Sequence, residues 1–331
     1  MSEMRFNPIT RDWVILAPGR SNKPNDFRAA TKPRAARPQV RPDCPFCVGN
    51  EGPQPEVARL SAPDGSWLTR VLPNKFPALS PTEDLCRFTH GTFRSIAAAG
   101  MHEVVVEHPR HDLTLAGMEP AHLAGILWLY RERYRALRAD PVIESIVIFK
   151  NHGERAGTSL EHPHSQIVAA PIVSSTVRTR LEEATRFHEE SGECLFCRVL
   201  ADELEARERL LEVEPGFVAF VPYAALSPFH IWIFPRRHAS SFDTISDAEI
   251  PELATVLSRV LRRLSTSLDD PDFNFTIRSV PVSEGENQSY HWYLAIVPRT
   301  NQMAGFELGS GIFINSVRPE DAAAVLRAAV V

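Results

Sequence analysis

Glu161-His162-Pro163-His164-Ser165-Gln166-Ile167-Val168-Ala169-Ala170-Pro171 is the stretch around which the chain is organised. On extended backbone, side chains two apart share a face, so His162, His164 and Gln166 form a row backed by the apolar run Ile167 to Ala170. Just upstream, Asn151-His152-Gly153-Glu154-Arg155-Ala156-Gly157-Thr158-Ser159 supplies flexible backbone and small donors of the kind a phosphate needs nearby. Near the C-terminus His291-Trp292-Tyr293-Leu294-Ala295-Ile296-Val297-Pro298 has the same pattern, and this recurrence decides the fold.

Working outward, the order of features repeats. Cys44-Pro45-Phe46-Cys47 is answered by Cys194-Leu195-Phe196-Cys197, and Leu72 to Pro81 by Val221 to Pro228. The strand Glu103 to Glu107 runs into His108-Pro109-Arg110-His111, and the strand His230 to Phe234 into Pro235-Arg236-Arg237-His238. Helices with Leu123, Ile126, Leu127, Tyr130, Tyr134 and Leu137, or Leu253, Val256, Leu257, Val260, Leu261 and Leu264, at helical spacing end before Asp140-Pro141 and Asp270-Pro271. From His111 to His162 is 51 residues and from His238 to His291 is 53. The expected fold is therefore α+β, a tandem duplication of one unit, each a mostly antiparallel sheet with a packed helix, over residues 1–175 and 176–331.

Other segments read less distinctively. Phe6 to Ala17 is predicted as a first strand, broken by Pro18-Gly19-Arg20. Arg28 to Pro42, rich in Pro, Ala and the cations Lys32, Arg34, Arg37 and Arg41, reads most simply as a solvated loop, with a phosphate-contacting loop as the alternative. Leu200 to Glu214 reads as an exposed helix or insertion, and Cys86 as a small hydrophobe.

With 331 residues, 44% of them hydrophobic and 23% charged, the composition is that of a globular protein with room for two cores. No apolar leader opens the chain and no apolar run reaches the roughly 18 residues that span a bilayer. The expectation is a cytoplasmic protein with no membrane partner. A net charge of -5 offers no general attraction to nucleic acid, so an anionic substrate needs a local site.

Each copy offers two cysteines from a tight turn, a histidine just past a strand end and a histidine opening the last strand. Cys44, Cys47, His111 and His162 form the first set; Cys194, Cys197, His238 and His291 form the second. Two thiolates and two imidazoles complete a tetrahedron with no position left for water, which predicts two structural zinc sites per chain, or iron in place of zinc. His108 competes with His111 and His230 with His238; the Pro-Arg-Arg-His order of the second copy favours His111 and His238.

With His162 assigned to metal, His164 is left beside the glycine-bearing approach as a candidate nucleophile toward phosphorus. Gln166 cannot act as an acid; it can only orient phosphoryl oxygens, which suits a leaving group that departs as a stable anion. A triad-type nucleotide hydrolase is disfavoured by Gln166. A non-enzymatic zinc-containing binding module is disfavoured by the acidity and by the lack of interleaved aromatic and basic residues.

The stretch His162-Pro163-His164-Ser165-Gln166 resembles the H-P-H-[GS]-Q motif of the galactose-1-phosphate uridylyltransferases, a branch of the histidine triad superfamily. The resemblance runs from Phe6-Asn7-Pro8-Ile9-Thr10 to Gly305-Phe306-Glu307. It implies a homodimeric nucleotidyltransferase of carbohydrate metabolism, working by ping-pong through a nucleotidyl-His164. Nucleotide sugar would be the donor, and a sugar 1-phosphate or inorganic phosphate the acceptor. It further implies that Gln166 and Ser159 hold phosphoryl oxygens and that Asn151, Gly157 and Arg20 meet phosphates. Asn74 and Phe76 would contact the nucleoside, and Phe306 and Glu307 the sugar, in the family sometimes from the partner subunit. Hexose-1-phosphate uridylyl transfer is placed first as the family's commonest activity. Ser165 after the nucleophile, the second cysteine pair and Gly305-Phe306-Glu307-Leu308-Gly309-Ser310-Gly311 are similar to the ADP-glucose phosphorylase branch, the alternative. In the second copy Tyr293 and Ala295 replace the nucleophile and the glutamine, so that half is expected to be catalytically silent.

Overall fold

The computed structural model describes residues 1–20, 37–52, 55–81 and 85–331. The basic run from Arg28 through Lys32 and Arg34 lies outside them. The chain forms β1 (Glu3–Phe6), β2 (Trp13–Leu16), β3 (Ala58–Ser61), β4 (Trp67–Pro73), β5 (Arg87–His90), β6 (Phe93–Ile96), β7 (Met101–Val106), α1 (Pro120–Arg138), β8 (Ser145–His152) and β9 (His164–Ala170). It continues through α2 (Ser175–Ser191), α3 (Leu195–Ala206), β10 (Leu210–Val213), β11 (Phe217–Phe220), β12 (Ile231–Pro235), α4 (Glu249–Leu268), β13 (Phe273–Arg278), β14 (Tyr293–Pro298), α5 (Gly305–Ser310), β15 (Phe313–Asn315) and α6 (Pro319–Ala328).

The duplication is visible in the sheet. Ten strands run in the order β10-β11-β12-β14-β13-β8-β9-β7-β4-β3, so the second five mirror the first and the halves join where β13 pairs antiparallel with β8, Phe273 opposite His152. The helix patterns read from sequence supply one covering layer. Leu123, Ile126, Leu127 and Tyr130 of α1 and Leu253, Val256, Leu257, Val260 and Leu261 of α4 are buried in one cluster with Ile148 and Ile167 of the first half and Leu294 and Ile296 of the second. Each such aliphatic side chain contributes about 1.5–3 kcal/mol on burial, before its ordering entropy is subtracted.

The other face differs between the halves. In the second, Tyr293 and Ala295 of β14 are buried with Ala184 of α2 and Leu195, Phe196 and Leu200 of α3. In the first, the corresponding face of β9 carries His164, which borders a cleft, and Gln166, which is bonded to His102.

Four expectations change. Phe6 to Ala17 is not one strand but a hairpin, because Asn7 Oδ1 accepts from the N–H groups of Ile9 and Thr10 at 3.0 and 3.1 Å and Arg11 turns back at φ 62°. Leu200 to Glu214 is not an insertion: its first part completes α3, with Leu200 and Glu203 buried, and its second forms the edge strand β10. His162 lies before β9 rather than in line with it, so the expected row keeps only His164 and Gln166 on the strand. Cys86 is exposed and fills no core.

Candidate active site and metal centres

Both sets of cysteine and histidine ligands assemble. In each, one donor atom from every residue lies within 4.8 Å of all the others. Cys47 Sγ is 3.5 Å from His111 Nδ1 and 3.6 Å from His162 Nδ1, and Cys197 Sγ is 3.4 Å from both His238 Nδ1 and His291 Nδ1. A tetrahedral ion bound at about 2.3 Å to sulfur and about 2.0–2.1 Å to nitrogen sets those edges at about 3.6 Å, so the geometry fits a metal.

Tautomers agree with this. His162 Nε2 donates to the His108 carbonyl at 2.8 Å and His291 Nε2 to the Pro235 carbonyl at 2.9 Å, which leaves each Nδ1 lone pair facing the thiols. Burial first of all pushes the His162 pKa down to about 4, keeping the ring neutral. His108 itself takes the Arg110 N–H on Nδ1 and packs against His122, ring centroids 4.5 Å apart and tilted by 50°, outside the cluster.

Past His162, Pro163 delivers the chain into β9 and places His164 at the strand's first position. Its Nδ1 is 2.8 Å from the His162 carbonyl. A carbonyl can only accept, so Nδ1 carries the proton and the neutral ring keeps its lone pair on Nε2. Burial, then the charge of Lys150, lower the His164 pKa and favour this neutral form. The ring borders a cleft of ≈ 840 Å³ with Asn151, Thr158, Ser159 and Arg155, and Arg37 lines the same cleft, so the end of the basic run does reach the site.

Asn151 is oriented from the second half. Asn274 Nδ2 donates to Asn151 Oδ1 at 2.8 Å and to the Ala156 carbonyl at 2.9 Å, which leaves the Asn151 amide donors free to turn toward the cleft. Gly157 closes this turn at φ 87°, a conformation suited to glycine. Gln166 is set by a residue that sequence reasoning missed. His102 Nδ1 accepts the Ala78 N–H at 3.1 Å, so His102 Nε2 donates to Gln166 Oε1 at 2.8 Å and the Gln166 amide presents its N–H groups elsewhere. Asn74 Nδ2 competes at 3.0 Å for the same His102 nitrogen, and the Ala78 contact decides for Gln166.

A buried polar network under His164 was missed as well. Lys150 Nζ, 2% exposed, donates to Glu107 Oε2 at 2.6 Å and to the His164 carbonyl at 2.9 Å. Tyr130 Oη bonds Glu107 Oε1 at 3.3 Å and Ser165 Oγ at 2.5 Å, and burial keeps the phenol protonated. Sheet register identifies the counterparts in the second half. Phe149 faces Gln166 and Thr276 faces Ala295, so Ile277 stands at the place of Lys150 and Leu294 at that of Ser165. That contrast between a buried lysine and an isoleucine in two copies of one unit was the available sequence signal.

Not every residue named from the sequence converges. Asn74 is held beside His102 by its backbone N–H, which donates to the His102 carbonyl at 2.8 Å, and neither it nor Phe76, 82% exposed, is among the residues lining the cleft. Arg20 ends a 3-10 turn and is exposed, away from the cleft lining. Phe306 and Glu307 lie on α5, and Glu307 lines a separate hollow with Arg299 and Phe313, so one chain does not bring them to His164.

The family model for the N-terminal domain of galactose-1-phosphate uridyl transferase matches residues 1–174, and that for its C-terminal domain matches residues 180–329. The chain belongs to the galactose-1-phosphate uridyl transferase family. Among curated members of this family's relatives, ADP-glucose phosphorylase of Arabidopsis thaliana is 37% identical, over 98% of this chain and 92% of that one. Galactose-1-phosphate uridylyltransferase of Thermotoga maritima is 31% identical, over 99% and 98%. The crystal structure of the Arabidopsis thaliana ADP-glucose phosphorylase with bound ADP-glucose superimposes with a TM-score of 0.84 at 34% identity, covering 100% of this chain and 99% of that one. Among the described residues no helix is long and apolar enough to cross a membrane.

Proposed function

We propose that this chain is a cytoplasmic nucleotidyltransferase that moves a nucleoside monophosphate from a nucleotide sugar to a phosphate acceptor through a covalent nucleotidyl-His164. The observation that carries the reading is the His164 ring itself: Nδ1–H bound to the His162 carbonyl and a lone pair left on Nε2 at the cleft.

In the first half-reaction Nε2 attacks the α-phosphorus. A P–N bond forms, the bond from phosphorus to the bridging oxygen breaks, and sugar 1-phosphate leaves with that electron pair. The ring gains positive charge, which the Nδ1–H bond to the His162 carbonyl stabilises. Gln166, with Oε1 tied to His102, offers amide N–H groups to the phosphoryl oxygens, and Ser159 and Asn151 add donors from the cleft wall. A sugar 1-phosphate or inorganic phosphate then attacks the same phosphorus from oxygen, and the P–N bond breaks to restore His164. No general acid is required at either step.

Two donors fit the family. ADP-glucose is supported by the 37% identity to the plant phosphorylase and by the complete second Cys2His2 cluster; UDP-glucose, placed first from sequence alone, is supported by the family's name and the Thermotoga relative. Both clusters are assigned to structural zinc, or iron in its place, with residues 1–175 as the catalytic unit and 176–331 as the silent one. A homodimer would bring Phe306 and Glu307 of one chain to the sugar bound by its partner.

Isotope exchange tests the ping-pong claim. Labelled glucose 1-phosphate incubated with unlabelled ADP-glucose or UDP-glucose and no second acceptor should enter the nucleotide sugar. Label that moves only when a second acceptor is present would contradict a covalent intermediate.

A further inference from the structure

The second half buries a guanidinium that has no acidic partner among the described residues. Arg180 on α2 is 6% exposed, and among the described residues nothing meets its Nε or Nη1. Glu183, one turn further along, is taken by Arg186 and Arg11. His230, 3% exposed, accepts the Trp232 indole N–H on Nε2 at 3.1 Å, so Nδ1 of its neutral ring carries a proton, and that donor also has no described partner.

Arg278 ends β13 opposite Tyr293. Burial lowers its pKa first, and the charge of Arg180 adds to the effect, while the nearby groups that favour its charged form are Tyr293 and Tyr290 rather than a carboxylate. Burial and both guanidinium groups hold His230 down to about 3. Arg180 and His230 thus carry buried donors that no described residue meets, His230 bonded to Trp232 and the half-buried Arg278 paired with Tyr293 at the edge of the same apolar cluster, and burying such donors is unfavourable unless an acceptor joins them.

Its place in the fold matters. Two residues beyond the matched pairs Phe149–Gln166 and Thr276–Ala295, Arg278 stands where Asn151 stands beside His164 in the first half. We propose that the second half binds a small phosphate-type oxyanion on Arg180, Arg278 and the His230 Nδ1–H, at the position that mirrors the cleft. Two guanidinium groups match a phosphate with up to two negative charges, whereas a carboxylate neutralises only one. Tyr293 in place of His164 leaves no nucleophile there, so the anion is held and not transferred.

The test uses the full chain and inorganic phosphate, with chloride and acetate at equal ionic strength as controls. Without phosphate, Arg180→Met should melt higher than wild type, because an uncompensated buried charge is gone. At phosphate concentrations about 100 times the dissociation constant, wild type should gain roughly 5 °C more than Arg180→Met or Arg278→Met. All three proteins keep the cleft, so the difference belongs to the second-half site and does not depend on the transferase reading. Wild-type crystals grown in selenate should show an anomalous peak within hydrogen-bond reach of Arg180 and Arg278. A peak confined to the cleft, an equal response to acetate, or arginine variants that keep the whole phosphate response would overturn the proposal.

Discussion

Replacing Lys150 separates what the buried network does for folding from what it does for chemistry. Lys150 Nζ and Glu107 Oε2 lie 2.6 Å apart with side chains 2% and 0% exposed, so Lys150→Met strands a carboxylate that no water reaches. Removing one partner of such a pair costs about 3–5 kcal/mol, and urea unfolding should read a loss of that size. Glu107→Leu with Lys150→Ile, which imitates Ile277 of the silent half, should recover most of it, because apolar replacement of a buried pair is often neutral or stabilising. Activity should not recover. Lys150 also donates to the His164 carbonyl at 2.9 Å, and loss of a charged hydrogen bond worth about 1.5–3 kcal/mol lowers kcat roughly 10- to 150-fold where it is fully expressed in the transition state. If the double variant regains both stability and kcat, Lys150 does not position the nucleophile. A single variant that loses less than about 1 kcal/mol would show that the pair is not closed to water.

Three further outcomes follow from the same geometry. His102→Phe frees Gln166 Oε1 and should lower kcat by roughly 10-fold or more while leaving KM nearly unchanged; an altered KM with normal kcat would place His102 in ground-state binding instead. His111→Ala and His238→Ala should each remove one equivalent of bound metal per chain and lower the melting temperature, and metal content equal to wild type in either would show the wrong turn histidine had been chosen. Burial alone would raise the Glu320 pKa, but hydrogen bonds from Arg5 at 2.7 Å and Arg209 at 2.8 Å bring it below 4.5. A depressed carboxylate stabilises the fold above its unfolded pKa and loses that contribution as pH falls through the folded one. Glu320→Gln should therefore flatten the stability curve below about pH 4.5, and an unchanged acid limb would contradict the assignment.

The features legible in the sequence were those that chemistry restricts to few residue types. Thiolates and imidazoles at matching intervals announced two clusters, and the alignment of the copies announced that Tyr293 and Ala295 occupy the places of His164 and Gln166. What escaped were contacts fixed only by the sheet. Glu107 ends a strand in the sequence and could face either side; only pairing of β7 with β9 puts it under the nucleophile with Lys150 and Tyr130. Asn274 reaches Asn151 across the β8–β13 seam, a join between copies that no spacing within either copy encodes. The hairpin at Asn7 was hidden because its turn rests on one side-chain carbonyl rather than on a glycine.

Intact mass spectrometry tests the central claim most directly. After incubation with ADP-glucose or UDP-glucose and no acceptor, the protein should gain the mass of the matching nucleoside monophosphate, lose it in acid, and transfer it to added phosphate or sugar 1-phosphate. His164→Ala should show no gain. An adduct that persists in that variant would contradict His164 as the nucleophile, and no adduct from either donor would contradict the covalent mechanism.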